Sequence, residues 1–357
     1  MAALLTAALL ALAPPGTDFA EHAYQSALFD RHGFGLWDNG WYAGRYAFVT
    51  YSFLYYPLAA LFGMALVAIA SQAIAVGAFA SVVEAAFKQE GRWASRTFAV
   101  VWPSFVLTAA FPSALGVMFS LLVLRSLQRG RTRMGCVLCA LTLAASPLAF
   151  LLLVLLLAGI ALTKRAPRRA LVYPALTIVA LSVVEMLLWK VFPSGGRSPF
   201  ALQKMLLTLG FCAAVAALSW GIERARALFW PFVVYGAATV ALYLVHSPIG
   251  DGITRLGFVA LPVIVLTLSL GAGRRRPRLL AAVGIALASW LNIAPLASAL
   301  LRGAGSSASG AQYWQPAVDF LRANRGESYR VEAVDTIGHW PAFQLGGAGI
   351  PLARGWF

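Results

Sequence analysis

Long apolar runs alternate with short polar segments along the chain, and most of the runs have the length of a membrane span. Residues 47–87, 170–192, 201–222, 227–246, 256–272 and 279–301 carry at most two charged residues each, and about 20 apolar residues of helix suffice to cross a bilayer. Residues 97–124 and 134–163 are interrupted near their middles, at Phe111-Pro112-Ser113 and Ala145-Ser146-Pro147. Proline disrupts a helix, and such a break is tolerated where protein rather than lipid surrounds it. Each block therefore reads as two short helices folding back on one another. Residues 2–13 are apolar but short, and no basic segment precedes them as in a signal peptide. They read as the outer part of a first transmembrane helix whose beginning lies outside this chain. The pattern predicts an all-α polytopic membrane protein with about eleven transmembrane helices, some short or broken, in a domain over residues 1–301.

The tail changes character. Residues 302–312 include "GAGSSASG" and read as a flexible linker. "YWQPAVDFLRAN" then reads as an amphipathic helix with Val318, Phe320 and Leu321 between polar positions, and "YRVEAV" alternates like a strand. Residues 313–357 are thus expected to begin an extracytoplasmic α/β segment that is incomplete here, because so few elements bury little core.

Composition agrees with a membrane protein: 60% of residues are hydrophobic and 11% charged, with a mean hydropathy of +0.76. The formal charge of +15 would suggest nucleic acid in a soluble protein, but its distribution argues otherwise. Five segments (88–96, 125–133, 164–169, 223–226 and 273–278) hold 17 of the 28 basic residues and two acids, Glu90 and Glu223. Lys and Arg in short loops mark the cytoplasmic side. The basicity therefore reads as topology with anionic-lipid contact, and no nucleic-acid partner is expected. It places residues 14–46, 193–200, 246–255 and the tail outside the cytoplasm. Cys136 and Cys139 form a CxxC inside an apolar stretch, where they read as small packing residues, so neither a disulfide nor a metal site follows.

One outward segment concentrates polar chemistry: "GTDFAEHAYQSALFDRHGFGLWDNGW", residues 16–41. Phe19, Ala20, Ala23, Tyr24, Ala27 and Leu28 fall on one helical stripe, and Asp18, Glu21, His22 and Gln25 on the opposite one. The segment reads as a helix lying along the outer membrane face with its acids solvated. Asp18 and Glu21 have the spacing of a capping box, so Asp18 as a helix cap is one reading. The other is functional: a carboxylate and an imidazole four residues apart suit general base catalysis, or a metal if further ligands arrive from elsewhere.

Further candidates share the predicted outer side. Trp37, Trp41 and Tyr42 suit either a stacked sugar ring or anchorage among headgroups. Asp38 is a second candidate acid beside the Asn39-Gly40 turn. Arg45 and Arg255 are candidate phosphate partners, and His246 and Asp251 flank Arg255. Within the spans, Glu185 is read as paired locally with Lys190 or functional, and Glu84 as paired with Lys88.

The order of "GTDFAEH", "LWDNGWYAGR", "TYSFLYYPLAALFG", "TAAFPSALG", "ASPLAF" and "SPIGDGITRLG", completed by "VDFLRAN", "YRVEAVDTIGHWPAFQL" and "PLARGWF", carries a resemblance. The chain resembles a family of bacterial, especially actinobacterial, membrane proteins described as 6-pyruvoyl-tetrahydropterin-synthase-related, a label that implies no pterin chemistry. Its architecture is similar to the C-superfamily glycosyltransferases (GT-C), which use polyprenyl-phosphate sugars. The resemblance implies a catalytic acid soon after the first helix, which Asp18 matches, with His22 and Asp38 as lesser matches. It implies inverting transfer to an envelope glycan, lipid or protein, with arginines such as Arg45 or Arg255 stabilising phosphate charge and no metal or other cofactor required; Trp37, Trp41, His246 and Asp251 are the further candidates for substrate binding. The location implied is the bacterial inner membrane, with the C-terminal tail outside. Two other readings stand beside it: a transporter or flippase-like protein for lipid-linked intermediates, and a non-catalytic scaffold whose tail binds an envelope partner. A transporter should line several spans with polar groups near the midplane, whereas here they gather at the outer rim.

Overall fold

A computed structural model describes residues 1–357 except 36, 42–51, 164–167, 193–198, 246, 248, 272–277, 304–306, 325, 327–329 and 355–357. The described chain is helical. α1 (Ala2–Leu12) is followed by α2 (Phe19–His32), α3 (Tyr55–Phe62) and α4 (Met64–Phe87). The 3-10 turn Lys88–Gly91 leads into α5 (Arg92–Val101), which continues as the 3-10 segment Trp102–Thr108. Then come α6 (Phe111–Gln128), α7 (Thr132–Ala145), α8 (Pro147–Leu162), α9 (Arg168–Val191), α10 (Leu202–Ser219) and α11 (Arg226–Leu244). The 3-10 run Gly250–Val259 enters α12 (Ala260–Leu270), α13 (Arg278–Gly303) follows, and the tail holds α14 (Ala311–Asn324) and α15 (Trp340–Gly347).

Among the described residues, seven helical stretches are long and apolar enough to cross a membrane, and α1, α7 and α8 are shorter apolar helices. The chain is a polytopic membrane protein. The two broken blocks divide where the prolines predict. Pro112 and Pro147 each stand in the first turn of a new helix, where a missing N–H breaks no bond. Ser146 caps α8 by accepting the Ala149 N–H at 3.3 Å. The stretch Met64–Thr108 is interrupted at Lys88, whose φ of 52° turns the chain back on itself.

Helix pairs α6–α7, α4–α6, α10–α11 and α8–α11 form the bundle, and α9 packs at its edge mainly against α7. Small residues let backbones approach, as is usual where lipid offers no hydrophobic drive. Gly159 of α8 lies against Pro231 of α11, and Gly116 of α6 against Ala149 and Ser146. A column of stacked rings, Phe79, Phe98, Trp102 and Phe105, runs through the centre with centroids 4.1, 5.2 and 4.9 Å apart.

The bundle has two chemically different ends. Arg224 pairs with Glu90 at 2.6 Å, and the Gln128 amide donates to the Val82 carbonyl at 3.1 Å, bringing the turns near 90, 128 and 224 together. These are basic turns, gathered as their sequence pattern predicts. Residues 109–113, the 3-10 run 250–259, α2 and the tail occupy the other end.

Several expectations are corrected. "YRVEAV" is no strand among the described residues: Val331 makes only an isolated parallel bridge to Leu352, and no described strand lies beside it to extend the pairing. The described part of the linker is packed, with Gly303 against Pro14, Ala308 buried, and Trp314 Nε1 donating to the Ala308 carbonyl at 2.7 Å. In the amphipathic tail helix, Val318 is buried while Phe320 is exposed. Neither Glu185–Lys190 nor Glu84–Lys88 forms an ion pair among the described residues. Cys136 and Cys139 are free thiols, the second buried in the helix packing as predicted.

A Cβ at Gly159 would lie 2.3 Å from Pro231 Cα, where the backbone cannot yield. Gly159→Ala is expected to lower stability by about 1–3 kcal/mol in thermal or denaturant unfolding. Gly77→Ala, with nothing within 4 Å, should unfold at or slightly above the wild-type temperature.

Candidate functional site

The site starts with a forced crossing. Gly16 passes over the end of the segment Trp102–Thr108 so closely that a Cβ would sit 2.4 Å from the Leu107 carbonyl oxygen. The next residues stay pinned there, with Asp18 N–H donating to the Thr108 carbonyl at 3.3 Å. Ala109 then takes the left-handed conformation (φ 57°), and the chain enters α6, placing Ser113 in its first turn. Asp18 and Ser113 are therefore neighbours because both flank one tight junction.

Arg255 reaches the same point from the 3-10 run Gly250–Val259. Ten residues is long for this geometry, and outside groups hold the run. Tyr235 OH donates to the Ile253 carbonyl at 2.5 Å, and Asn292 Nδ2 donates to the Gly257 and Phe258 carbonyls at 3.2 and 2.9 Å. Its guanidinium forks: one nitrogen donates to Asp18 Oδ2 at 2.8 Å and the other to Ser113 Oγ at 2.8 Å. Thr17 Oγ1 donates to the second Asp18 oxygen at 3.2 Å. Asp18 stands at the N-cap position of α2, yet its side chain makes no capping bond. The cap reading is thereby corrected: a charged partner outcompetes the helix N-terminus for the carboxylate.

α2 itself is covered on both faces. Its polar stripe, expected to be solvated, is buried: Asp18 is 8% exposed, Glu21 3%, and His22 and Gln25 0%. His22 Nδ1 lies 3.3 Å from Tyr56 OH, with the rings of Tyr55 and Phe111 around it. The apolar stripe faces the tail instead. Tyr24 stacks on Trp41 at 4.3 Å, Phe19 lies 6.0 Å from Trp340, and Trp41 Nε1 donates to the Ala342 carbonyl at 2.9 Å. The periodicity is as predicted, but the faces point to different partners, because the tail supplies the apolar cover expected of the membrane.

Burial sets the charges. It holds the Glu21 carboxyl well above its ordinary value of 4.5, reinforced by the Asp18 charge and opposed by Arg255. Burial, with the Arg255 guanidinium, brings His22 down to about 3. His22 is therefore neutral at pH 7 and Glu21 is shifted toward its neutral form, beside the Asp18–Arg255 ion pair.

The remaining candidates separate. Asp38 is buried on the tail side of α2, accepting from Tyr24 OH at 3.1 Å and Gly40 N–H at 2.8 Å. This is turn chemistry rather than a second acid beside Asp18. Trp41 is fully buried, so it neither stacks a sugar nor sits among headgroups, while Trp37 is exposed and lies 5.8 Å from the Phe192 ring. Asp251 pairs with Lys204 of α10. Arg45, Tyr42 and His246 lie outside the described residues. A cavity of about 10 Å³ adjoins the Asp18 approach, between Pro15 and Thr17, Ala299 and Gly303 of α13, and Gly338 and Trp340 of the tail. No group of three or more His, Cys, Asp or Glu suited to a metal occurs among the described residues. Ser113, Tyr56 and Gln25 were not foreseen as site residues; the Phe111-Pro112-Ser113 break marked the place of the first without its role.

No protein-family model, curated protein or solved structure matches the chain.

The buried groups give stability a defined pH response. His22 is depressed on folding, so its contribution is present above its ordinary value of 6.5 and is lost as pH falls from there through about 3. Glu21 is raised, so its contribution is present below 4.5 and is lost as pH rises above that. In thermal unfolding across pH 3–8, His22→Gln should flatten the acid limb, and Glu21→Gln the decline above about pH 4.5. Asp18→Asn removes the carboxylate from its ion pair with Arg255 and is expected to destabilise the protein by about 3 kcal/mol.

Proposed function

We propose that the chain is a membrane glycosyltransferase of GT-C type. It transfers a sugar from a polyprenyl-phosphate donor to an envelope glycan, lipid or protein. The observation that carries this reading is the buried Asp18 carboxylate, gripped by Arg255 at the end of the bundle away from the basic turns. Lys and Arg enrichment assigns the basic end to the cytoplasm. The site and the tail then face outward from a bacterial inner membrane, after about eleven crossings in all.

The ion pair suggests how one site serves two substrates. At rest the guanidinium holds the carboxylate in an ion pair. A phosphate ester is a better bidentate partner for arginine and takes over the guanidinium. Asp18 is then free to accept the proton of an acceptor hydroxyl. As that proton leaves, the hydroxyl oxygen bonds to the anomeric carbon from the face opposite the phosphate. The bond between that carbon and the phosphate oxygen breaks, its electron pair leaves on the polyprenyl phosphate, and the anomeric centre inverts. Arg255 meets the charge that develops on the phosphate. Asp18 thus acts as base, Arg255 as phosphate ligand and Ser113 as a positioning residue for Arg255. His22, neutral and held against Tyr56, shapes the seam. This scheme asks for no metal or other cofactor.

A scaffold reading draws on one observation, the water-sized volume beside Asp18. Activity separates the two. Membranes containing the wild-type chain should transfer labelled sugar from polyprenyl-phosphate donors to envelope acceptors. Asp18→Asn and Arg255→Gln should each lose about 100-fold or more, the scale of a missing general base. A deletion strain with an altered envelope profile that Asp18→Asn restores completely would exclude Asp18 as the base.

A further inference from the structure

Beyond the ion pair, α2 buries polar atoms that have no hydrogen-bond partner among the described residues. Gln25 is fully buried, and neither its amide nitrogen nor its amide oxygen has a hydrogen-bond partner. Exchanging the two atoms cannot repair this, because both are unmatched. Glu21 Oε2 and Ser26 Oγ are buried without partners as well. Buried polar groups are nearly always satisfied, and an orphan points to a ligand, an ion or water at that place. Three such side chains on one helix within six residues, next to the charged pair, are not explained by packing.

We propose that Glu21 and Gln25 recognise the hydroxyl groups of the transferred or accepting sugar, in the seam between α2 and the bundle. This rests on the glycosyltransferase reading and assigns its carbohydrate-recognition groups. The chemistry selects the ligand class. An amide offers two donors and an acceptor, a neutral carboxyl offers a donor and an acceptor, and a hydroxyl offers both. That mixed set of donors and acceptors matches vicinal hydroxyls. The placement fits too. Glu21 and Gln25 follow Asp18 by three and seven residues on the same face, about 4.5 and 10 Å along the helix axis. A sugar whose phosphate end meets Arg255 extends along that line. A site designed to bond hydroxyls also discriminates against ligands that lack them, since its own groups would stay unpaired.

A group kept unsatisfied for a ligand has a signature that a structural group lacks: replacing it with an apolar isostere stabilises the empty protein while removing recognition. The test uses the full chain in lipid nanodiscs. Without ligand, Gln25→Met should unfold about 2 °C above wild type. Undecaprenyl phosphate and its glucose, mannose and galactose derivatives are then titrated against the intrinsic tryptophan fluorescence. Wild type should bind at least one sugar-bearing carrier roughly tenfold more tightly than the bare carrier. Gln25→Met should lose that factor and keep its affinity for the bare carrier, whereas Glu21→Gln, still donor and acceptor, should retain most of it. If Gln25→Met unfolds below wild type, or keeps the sugar preference, the proposal is overturned. A wild type that binds the bare carrier with no sugar preference also overturns it, and leaves the phosphate role of Arg255 standing. A wild type that binds no carrier removes the glycosyltransferase reading itself, and this inference with it.

Discussion

The contact between Asp18 and Arg255 joins parts of the chain 237 residues apart and fixes what each can do. A lone carboxylate or guanidinium would be costly in so enclosed a place; together, with Ser113 and Thr17 completing their bonds, they are tolerated. Burial shifts the neighbours toward their neutral forms, and the pair adjusts this: the Asp18 charge reinforces the rise at Glu21 and Arg255 opposes it, while Arg255 adds to the fall at His22. The ion pair thus tunes the electrostatics of the seam under α2.

That seam depends on how α2 is held. Gly16 lets the chain cross the Leu107–Ala109 junction, and the crossing delivers Asp18 to Ser113 before α2 begins. The helix then lies between two unlike surfaces, the aromatic and polar end of the bundle below and the tail above. Neither surface is sufficient for it. Without the tail, Phe19, Tyr24 and Trp41 would lose their apolar cover; without the bundle, Asp18 would lose its partner.

Much of the scaffold was legible from residue patterns because those patterns report local physics. Prolines at 112 and 147 mark helix starts wherever the helices pack, and clustered arginines mark one end of the bundle. The amphipathic period of α2 was legible for the same reason. What covers each face was not, because a moment gives a direction relative to the helix and not to the rest of the molecule. Asp18 had the spacing of a cap, and only a residue far along the chain diverts it from that role. Alternation misled at "YRVEAV" because a strand needs a partner, which period-two patterning cannot supply. Asp38 and Trp41 were plausible ligands by type, yet Asp38 is engaged by Tyr24 and its own turn, and Trp41 by the tail.

The hydrogen bond from Trp41 to Ala342 spans 301 residues, and this separation bears on the order of assembly. During synthesis α2 emerges early, while α15, which covers its apolar stripe, is made after all the long apolar helices. Through most of translation the stripe must rest against lipid or another protein. Closure of the Asp18 seam is then among the last events of biogenesis, since loop closure over such a distance is slow and entropically unfavourable. Docking of the tail completes the cover of α2 over the seam, so maturation of the chain and maturation of the site coincide.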